Sequence, residues 1–187
     1  MRAFFALPIT GSLQQQLVEQ QLHLQSQIAD LSLRWVPAQN FHLTMAFLAD
    51  ITTTDIAELA ERAVCVASRH KALALTVAEL SWFPSAAKPR CLAALLAKSA
   101  ALKTLQRDLI EQLIQCAVVL PSGSFRPHIT LAAASSGFQA GAFVAHNEPM
   151  RAVINELVLY ESQPQPAYNH YRPIHAWPLA GSATPAA

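Results

Sequence analysis

Two short stretches of this chain share a pattern of residues that can do chemistry. The stretches "FHLTMA" and "PHITLA" each place a His and a Thr two positions apart, with aliphatic residues between and after them. Alternate side chains of a strand share a face, so His42 lies beside Thr44. His128 lies beside Thr130 in the same way. Two imidazoles can accept and give protons near neutral pH, and hydroxyls can hold phosphate oxygens, which indicates acid–base chemistry at a phosphodiester.

The same residues fit two other uses less well. No Asp, Glu or Cys accompanies either motif at ligand spacing, and Thr is a poor ligand for zinc. A lone strand His is more often a half-buried structural residue, but a matched pair with the same flanks favours function. We therefore predict that His42 and His128 are catalytic, that Thr44 and Thr130 bind substrate, and that no metal ion or other cofactor is used. The remaining histidines are predicted to be non-catalytic: His23, His70, His146, His170 and His175.

Arg126 is a further candidate for binding substrate. Pro127 favours an extended conformation for the residue before it, and Arg126 then faces the same side as His128. The alternative is a solvated charge at the end of a strand.

Aromatic residues near the motifs are predicted to pack rather than to bind. Phe47 has the opposite parity to His42 and Thr44, so on a straight strand it lies in the core. Trp35 and Trp82 are interpreted first as packing residues and second as stacking platforms for bases.

The elements around the motifs predict an α+β fold. Apolar spacing indicates helices at about 13–31, 55–70 and 99–116, and strands at about 2–7, 40–48, 72–80, 90–97, 125–133 and 170–179. A short extended piece at "RW" precedes the strand at 40–48, and residues 150–162 form a longer strand or a strand pair. Helices then pack outside two mainly antiparallel sheets. Because each motif strand lies in its own half of the chain, we expect a bilobal molecule with a central cleft.

Composition limits the function further. The 187 residues are 52% apolar and 13% charged, with a formal net charge of +1, so no broad cationic surface exists to follow a long nucleic acid. The three cysteines lack zinc or redox spacing, which favours reduced thiols and a cytoplasmic location. No signal peptide or membrane-spanning segment is recognisable. We expect one two-lobed domain over residues 1–180 and a flexible tail over residues 181–187.

The motifs resemble those of the two-histidine phosphoesterases, and within them the RNA 2′,3′-cyclic phosphodiesterases, also called 2′-5′ RNA ligases. "RWVPAQNFHLTMAFLAD" is similar to the first motif with its lead-in, and "FRPHITLA" is similar to the second. "RAFFAL" resembles the opening strand of the family, and "LVLYES" and "YRPIHAWPL" resemble its closing strands. The resemblance covers nearly the whole chain.

The resemblance implies a pseudo-twofold symmetric fold whose two His-x-Thr strands line the cleft. It also implies opening of an RNA 2′,3′-cyclic phosphate to a 2′-phosphate without metal, and reversible joining of 2′-5′ ends. His42 would be the general acid on the ribose 3′ oxygen and His128 the general base on water, with Thr44 and Thr130 on phosphate oxygens. The partners are then RNA ends or nucleotides with a cyclic phosphate, and no membrane or protein partner is implied.

One departure from the family keeps two alternatives open. Family members usually carry an Arg shortly after the second motif, whereas this chain has Ala at positions 132, 133 and 134. Arg126 could substitute for it. Otherwise the chain is a catalytically weakened module that binds RNA ends or nucleotides. The low net charge also fits a phosphodiesterase that acts on small cyclic nucleotides.

Overall fold

The computed structural model describes residues 1–28, 33–116, 118, 120, 123–145, 148–166 and 168–181. Within these residues the order is strand, helix, two strands, helix, two strands, helix and four strands, as predicted. The elements are β1 Arg2–Pro8, α1 Gly11–Gln27, β2 Leu33–Trp35, β3 His42–Asp50, α2 Thr53–Ala67, β4 Leu73–Phe83, β5 Cys91–Leu96, α3 Ala100–Leu113, β6 His128–Ala134, β7 Arg151–Ile154, β8 Glu156–Gln163 and β9 His170–Pro178. The α+β class is confirmed.

Three sequence predictions fall wholly or partly on residues outside those ranges. They are the helix end at Leu31, the loop position of His146, and the tail from residue 182 onward. In the described part, the first helix ends at Gln27, with Ile28 as its C-cap.

The strands form one antiparallel sheet made of two halves. The order is β7-β4-β5-β6-β3-β1-β8-β9, with β2 beside β6. Each half places its motif strand innermost and three further strands outside it. Between the two motif strands, which are described throughout, a single residue pair joins the halves, Leu43 with Ile129. The two predicted sheets are therefore halves of one continuous sheet.

The second and third helices begin at residues whose side chains cap them, whereas the side chain of Thr10, before α1, makes no such bond. The Thr52 hydroxyl accepts a hydrogen bond from the Asp55 amide, and the Asp55 carboxylate accepts one from the Thr52 amide at 2.7 Å. This capping box satisfies two of the amides that a helix start leaves unpaired. Ser99 caps α3 by accepting a hydrogen bond from the amide of Leu102 at 3.2 Å.

The apolar faces of the helices pack on the sheet to form the core. Buried residues of the main core come from all three helices, among them Leu13, Leu17, Leu59, Ala63, Leu102, Leu105 and Leu109. Trp82 lies in a smaller core with Leu92 and Phe138, and its indole nitrogen donates to Gly141 O at 2.8 Å. Trp35 packs against the same cluster. The packing interpretation of both Trp residues is confirmed.

Candidate active site

The two His-x-Thr motifs meet at the centre of the sheet. Leu43 pairs with Ile129, and both are buried, with 1% and 0% of their surface exposed. Continuing this antiparallel register by one residue sets His42 opposite Thr130, and Thr44 opposite His128. All four side chains then share the face that Leu43 and Ile129 leave free. The structure thus brings together the four residues that the sequence predicts for the site.

A β-bulge follows each motif at the same position. In the first half the partner strand skips Met45, because Ala6 pairs with Thr44 while Phe5 pairs with Ala46. In the second half Ala93 pairs with Thr130 while Leu92 pairs with Ala132, so the partner strand skips Leu131. An extra residue in one strand reverses the facing of every residue after it.

The bulge overturns the predicted core position of Phe47. Phe4 pairs with Phe47 and Ala6 with Thr44, so Phe47 faces the same side as Thr44. Phe47 is 56% exposed and lines the cleft. The prediction assumed a straight strand, and the inserted residue Met45 makes it wrong.

A glutamine side chain contacts the carbonyl group of each bulge. Gln21, from α1, donates to Leu131 O at 2.9 Å and to Val36 O at 2.8 Å. Gln106, from α3, donates to Met45 O at 3.4 Å. The glutamine amides thus add a hydrogen bond at each bulge, and Leu131 O also accepts one from the backbone amide of Val36 at 2.8 Å.

Both histidines are held through the same ring nitrogen. His42 Nδ1 lies 2.7 Å from Asn40 O, and His128 Nδ1 lies 2.7 Å from Arg126 O. A carbonyl oxygen only accepts, so each Nδ1 carries a proton and donates. In the neutral rings each Nε2 is therefore a proton acceptor. His42 Nε2 lies 3.1 Å from Thr44 Oγ1, whose hydroxyl can donate to it.

Aromatic rings enclose His42. The ring centroid of Phe4 lies 4.9 Å from that of His42, and that of Tyr171 lies 5.1 Å away in an edge-on arrangement. Burial lowers the pKa of His42 because a charged ring loses water there. The carbonyl of Asn40 partly opposes this by stabilising the protonated ring. The charge of His128 lowers the pKa of His42 further, so the two imidazoles interact electrostatically.

His128 lies in a different environment beside a cation. Its ring stacks on Phe83, with centroids 4.0 Å apart and planes 20° apart. Burial lowers the pKa of His128, and the guanidinium of Arg126 lowers it further. The hydrogen bond to the carbonyl of Arg126 opposes both effects. His128 is thus favoured as a neutral base at neutral pH.

Arg126 lies near His128, as predicted, and both side chains contact the aromatic ring of Phe83. Its guanidinium carbon sits 4.6 Å from the centroid of the Phe83 ring, and Nη2 donates to Pro84 O at 3.2 Å. Arg126 lines the same cleft as His128 and Thr44. Its predicted contact with phosphate stays a prediction.

Four residues of the site were missed at the sequence level. Phe83, the last residue of β4, and Arg90, directly before β5, line the cleft. Asn40 is buried and its side chain donates to Asn169 O at 2.7 Å, which ties the support of His42 to the end of the chain. Gln21 is one of many glutamines in its helix, so the sequence gives no signal for it. Asn40 could have been noticed because "QN" stands directly before the first motif.

The described residues include no cluster of three or more His, Cys, Asp or Glu side chains that could hold a metal ion. Metal independence itself stays a prediction. Of the described helices, none has the length and apolar character needed to cross a membrane.

Comparison with known proteins gives matches in sequence and in fold. A family model described as LigT-like phosphoesterase matches residues 7–93, which include the first motif. An RNA 2′,3′-cyclic phosphodiesterase from Geobacillus stearothermophilus is 29% identical over 96% of this chain. The chain spans 57% of the length of that relative.

Two solved structures show the same fold. The protein TT0787 of Thermus thermophilus has a TM-score of 0.80 at 20% identity, and the alignment covers 98% of this chain and 100% of that one. LigT of E. coli, in complex with 3′-AMP, has a TM-score of 0.77 at 24% identity over 95% and 97% of the two chains. The α+β fold is thus shared with these proteins, and residues 7–93 are similar in sequence to the LigT-like phosphoesterases.

Proposed function

We propose that this chain hydrolyses RNA 2′,3′-cyclic phosphate ends to 2′-phosphates without a metal ion. The carrying observation is the geometry of the two motifs, which share one face of the sheet, with both Nδ1 atoms held by carbonyl groups and both Nε2 atoms directed away from them. The name of the Geobacillus relative supports the same reaction. The proposal includes a single domain over residues 1–180.

In the proposed reaction the two imidazoles move protons in opposite directions. His128 Nε2 removes a proton from water, whose oxygen attacks phosphorus. The bond from phosphorus to the 3′ oxygen breaks, and protonated His42 gives its Nε2 proton to that oxygen. The products are a 2′-phosphate and a 3′ hydroxyl, and exchange with solvent restores both rings. Thr44 and Thr130 hold non-bridging oxygens, which carry charge in the transition state.

Joining of RNA ends uses the same groups in the same roles. A 5′ hydroxyl takes the place of water: His128 removes its proton, its oxygen attacks phosphorus, and His42 protonates the departing 3′ oxygen, which leaves a 2′-5′ linkage and a 3′ hydroxyl. We place the reaction in the cytoplasm, where the thiols of Cys65, Cys91 and Cys116, which form no disulfide, stay reduced.

A direct assay tests the proposal. Purified protein in EDTA is expected to convert an oligonucleotide with a 2′,3′-cyclic phosphate to one with a 2′-phosphate, because no step uses a metal ion. The product is identified by its resistance to further cyclic-phosphate hydrolysis and by its mass, which is greater by one water. Loss of turnover in EDTA that returns with added Mg²⁺ or Zn²⁺ contradicts metal independence, and no turnover in either condition contradicts the activity.

The pH dependence follows from the lowered pKa values. His128 works as a base only while neutral, so the rate falls as pH drops below its pKa. His42 works as an acid only while protonated, so the rate falls as pH rises above its pKa. Burial lowers both pKa values, so kcat/KM, which reports the free enzyme, is expected to be largest at or below about pH 6.5.

Bound substrate changes one limb of this profile. An anionic phosphate favours the protonated imidazole, so the alkaline limb of kcat is expected at higher pH than the alkaline limb of kcat/KM. Steady-state kinetics from about pH 4.5 to 8.5 measure both profiles, and the apparent pKa values belong to the coupled pair. A kcat/KM that still rises above about pH 7.5 contradicts the assignment.

A further inference from the structure

The cleft beside His128 contains a cavity of about 420 Å³. One wall comes from β3, at Thr44 to Phe47, and the other contains Phe83, Arg90, Arg126 and His128. None of the lining residues within the described part of the chain is Asp or Glu, although the whole chain is close to neutral. The cavity therefore concentrates positive charge in one place.

Both arginines of the cavity lack a carboxylate partner among the described residues. Arg62, Arg107 and Arg172 pair with acidic side chains, and none of these three lines the cavity. Arg90 and Arg126 form no such pair within the same part of the chain. An uncompensated guanidinium in a concave site favours an anionic ligand, and its planar donors match phosphate oxygens.

Phe83 holds both arginines close to His128. The guanidinium of Arg126 lies over the same ring on which His128 stacks, and its bond to Pro84 O fixes its orientation. The backbone amide of Arg90 donates to Phe83 O at 2.8 Å, which places Arg90 at the edge of the cluster. Less side-chain entropy is then lost when Arg126 binds a ligand.

The bulge after the second motif determines which strand can supply a positively charged side chain to the cleft. After the skipped Leu131, Ala133 faces the cleft, and it pairs with Cys91. This position offers only a methyl group. Arg90 precedes Cys91 in the chain, so it extends from the neighbouring strand at the same level.

We infer that Arg90 and Arg126 form a second phosphate site, which binds the internucleotide phosphate next to the reacting end and so selects an RNA chain over a mononucleotide. The inference rests on the proposed function. His42, His128, Thr44 and Thr130 already account for the reacting phosphate in that proposal. A nucleoside 2′,3′-cyclic phosphate has only that phosphate, whereas an RNA chain has another one nucleotide away.

Substrates with one and two phosphates test the inference. Uridine 2′,3′-cyclic phosphate has one, and the dinucleotide UpU with a 2′,3′-cyclic phosphate has two. Arg90→Gln is expected to lower the ratio of kcat/KM for the dinucleotide to kcat/KM for the mononucleotide about tenfold, mainly through the KM of the dinucleotide. The slope of log KM against log salt for the dinucleotide should fall by about 0.7, the value for one lost contact with a single strand.

Lys88→Gln is the matched control. Lys88 is exposed in the same β4–β5 connection and does not line the cavity, so its removal changes the net charge equally. We expect it to leave the ratio unchanged. Arg90→Lys, which keeps the charge but not the planar donors, should fall between wild type and Arg90→Gln.

Two outcomes overturn the inference. An unchanged ratio with equal loss on both substrates means that Arg90 holds the reacting phosphate, and no loss on either means that it binds none. A wild type inactive on both substrates contradicts the proposed function instead. Calorimetric binding of the 2′-phosphorylated dinucleotide then tests the second site alone, and equal affinities of wild type and Arg90→Gln overturn it.

Discussion

Replacing His42 or His128 with Asn is expected to lower kcat at least about 10²-fold, the usual contribution of a general acid or base. The Asn amide can still donate near the position of Nδ1, to the carbonyl of residue 40 or 126, but it has no atom in place of Nε2. The proton transfer is thus removed while the local hydrogen bond is preserved. Initial rates on a cyclic-phosphate dinucleotide, with KM determined separately, measure the effect.

His175→Asn is the control for both variants. His175 is exposed on β9 and faces away from the reacting groups in our proposal, so its replacement should leave kcat within about twofold. If the variant at either His42 or His128 keeps the wild-type kcat, the two-histidine mechanism is wrong. The thermal midpoints of the control and of the cleft variants should agree with that of wild type to within a few degrees. A clearly lower midpoint would show that a loss of kcat comes from unfolding.

The second large effect is expected for the hydroxyls. Thr44→Val and Thr130→Val should each lower kcat about 10²-fold, as for removal of one donor to a charged transition state. Val keeps the branched shape that suits a strand and loses only the oxygen. Thr44 Oγ1 lies 3.1 Å from His42 Nε2, the atom that gives the proton in the proposed reaction, and in that reaction its hydroxyl turns to the phosphate.

Serine variants and a remote threonine provide the comparison. Thr44→Ser and Thr130→Ser restore a hydroxyl and should recover most of kcat. Thr76→Val, on β4, makes the same chemical change in a half-buried strand position outside the cleft lining and should not alter kcat. If both cleft Val variants keep wild-type kcat, the hydroxyls do not bind the reacting phosphate.

The paired site could be predicted because it depends on local rules. A strand alternates its faces, so the types and spacing within "HLT" and "HIT" assign His and Thr to one side and the aliphatic residue to the other. The buried Leu43 and Ile129 agree with this assignment. The order of helices and strands likewise follows from apolar spacing and caps such as Thr52 with Asp55.

The parts that were not predicted depend on pairing between distant strands. The bulge at Met45 exists only because β1 pairs with β3 out of step, and no residue of β3 alone indicates it. Phe47 was therefore assigned to the wrong face. Phe83 ends β4 and Arg90 precedes β5, so their position near His128 follows from the sheet order rather than from nearby sequence.

The single pair between Leu43 and Ile129 makes the separation of the two imidazoles depend on apolar volume. Neighbouring strands inside each half are held by ladders of backbone hydrogen bonds, but the two motif strands pair at a single pair of residues. The distance between these two strands therefore depends on the two buried aliphatic side chains of that pair. Changing the size of those side chains would widen or narrow the gap without touching any reacting atom. Protein engineers could use this contact between the halves to adjust the proposed site to bulkier phosphorus centres, such as phosphorothioates.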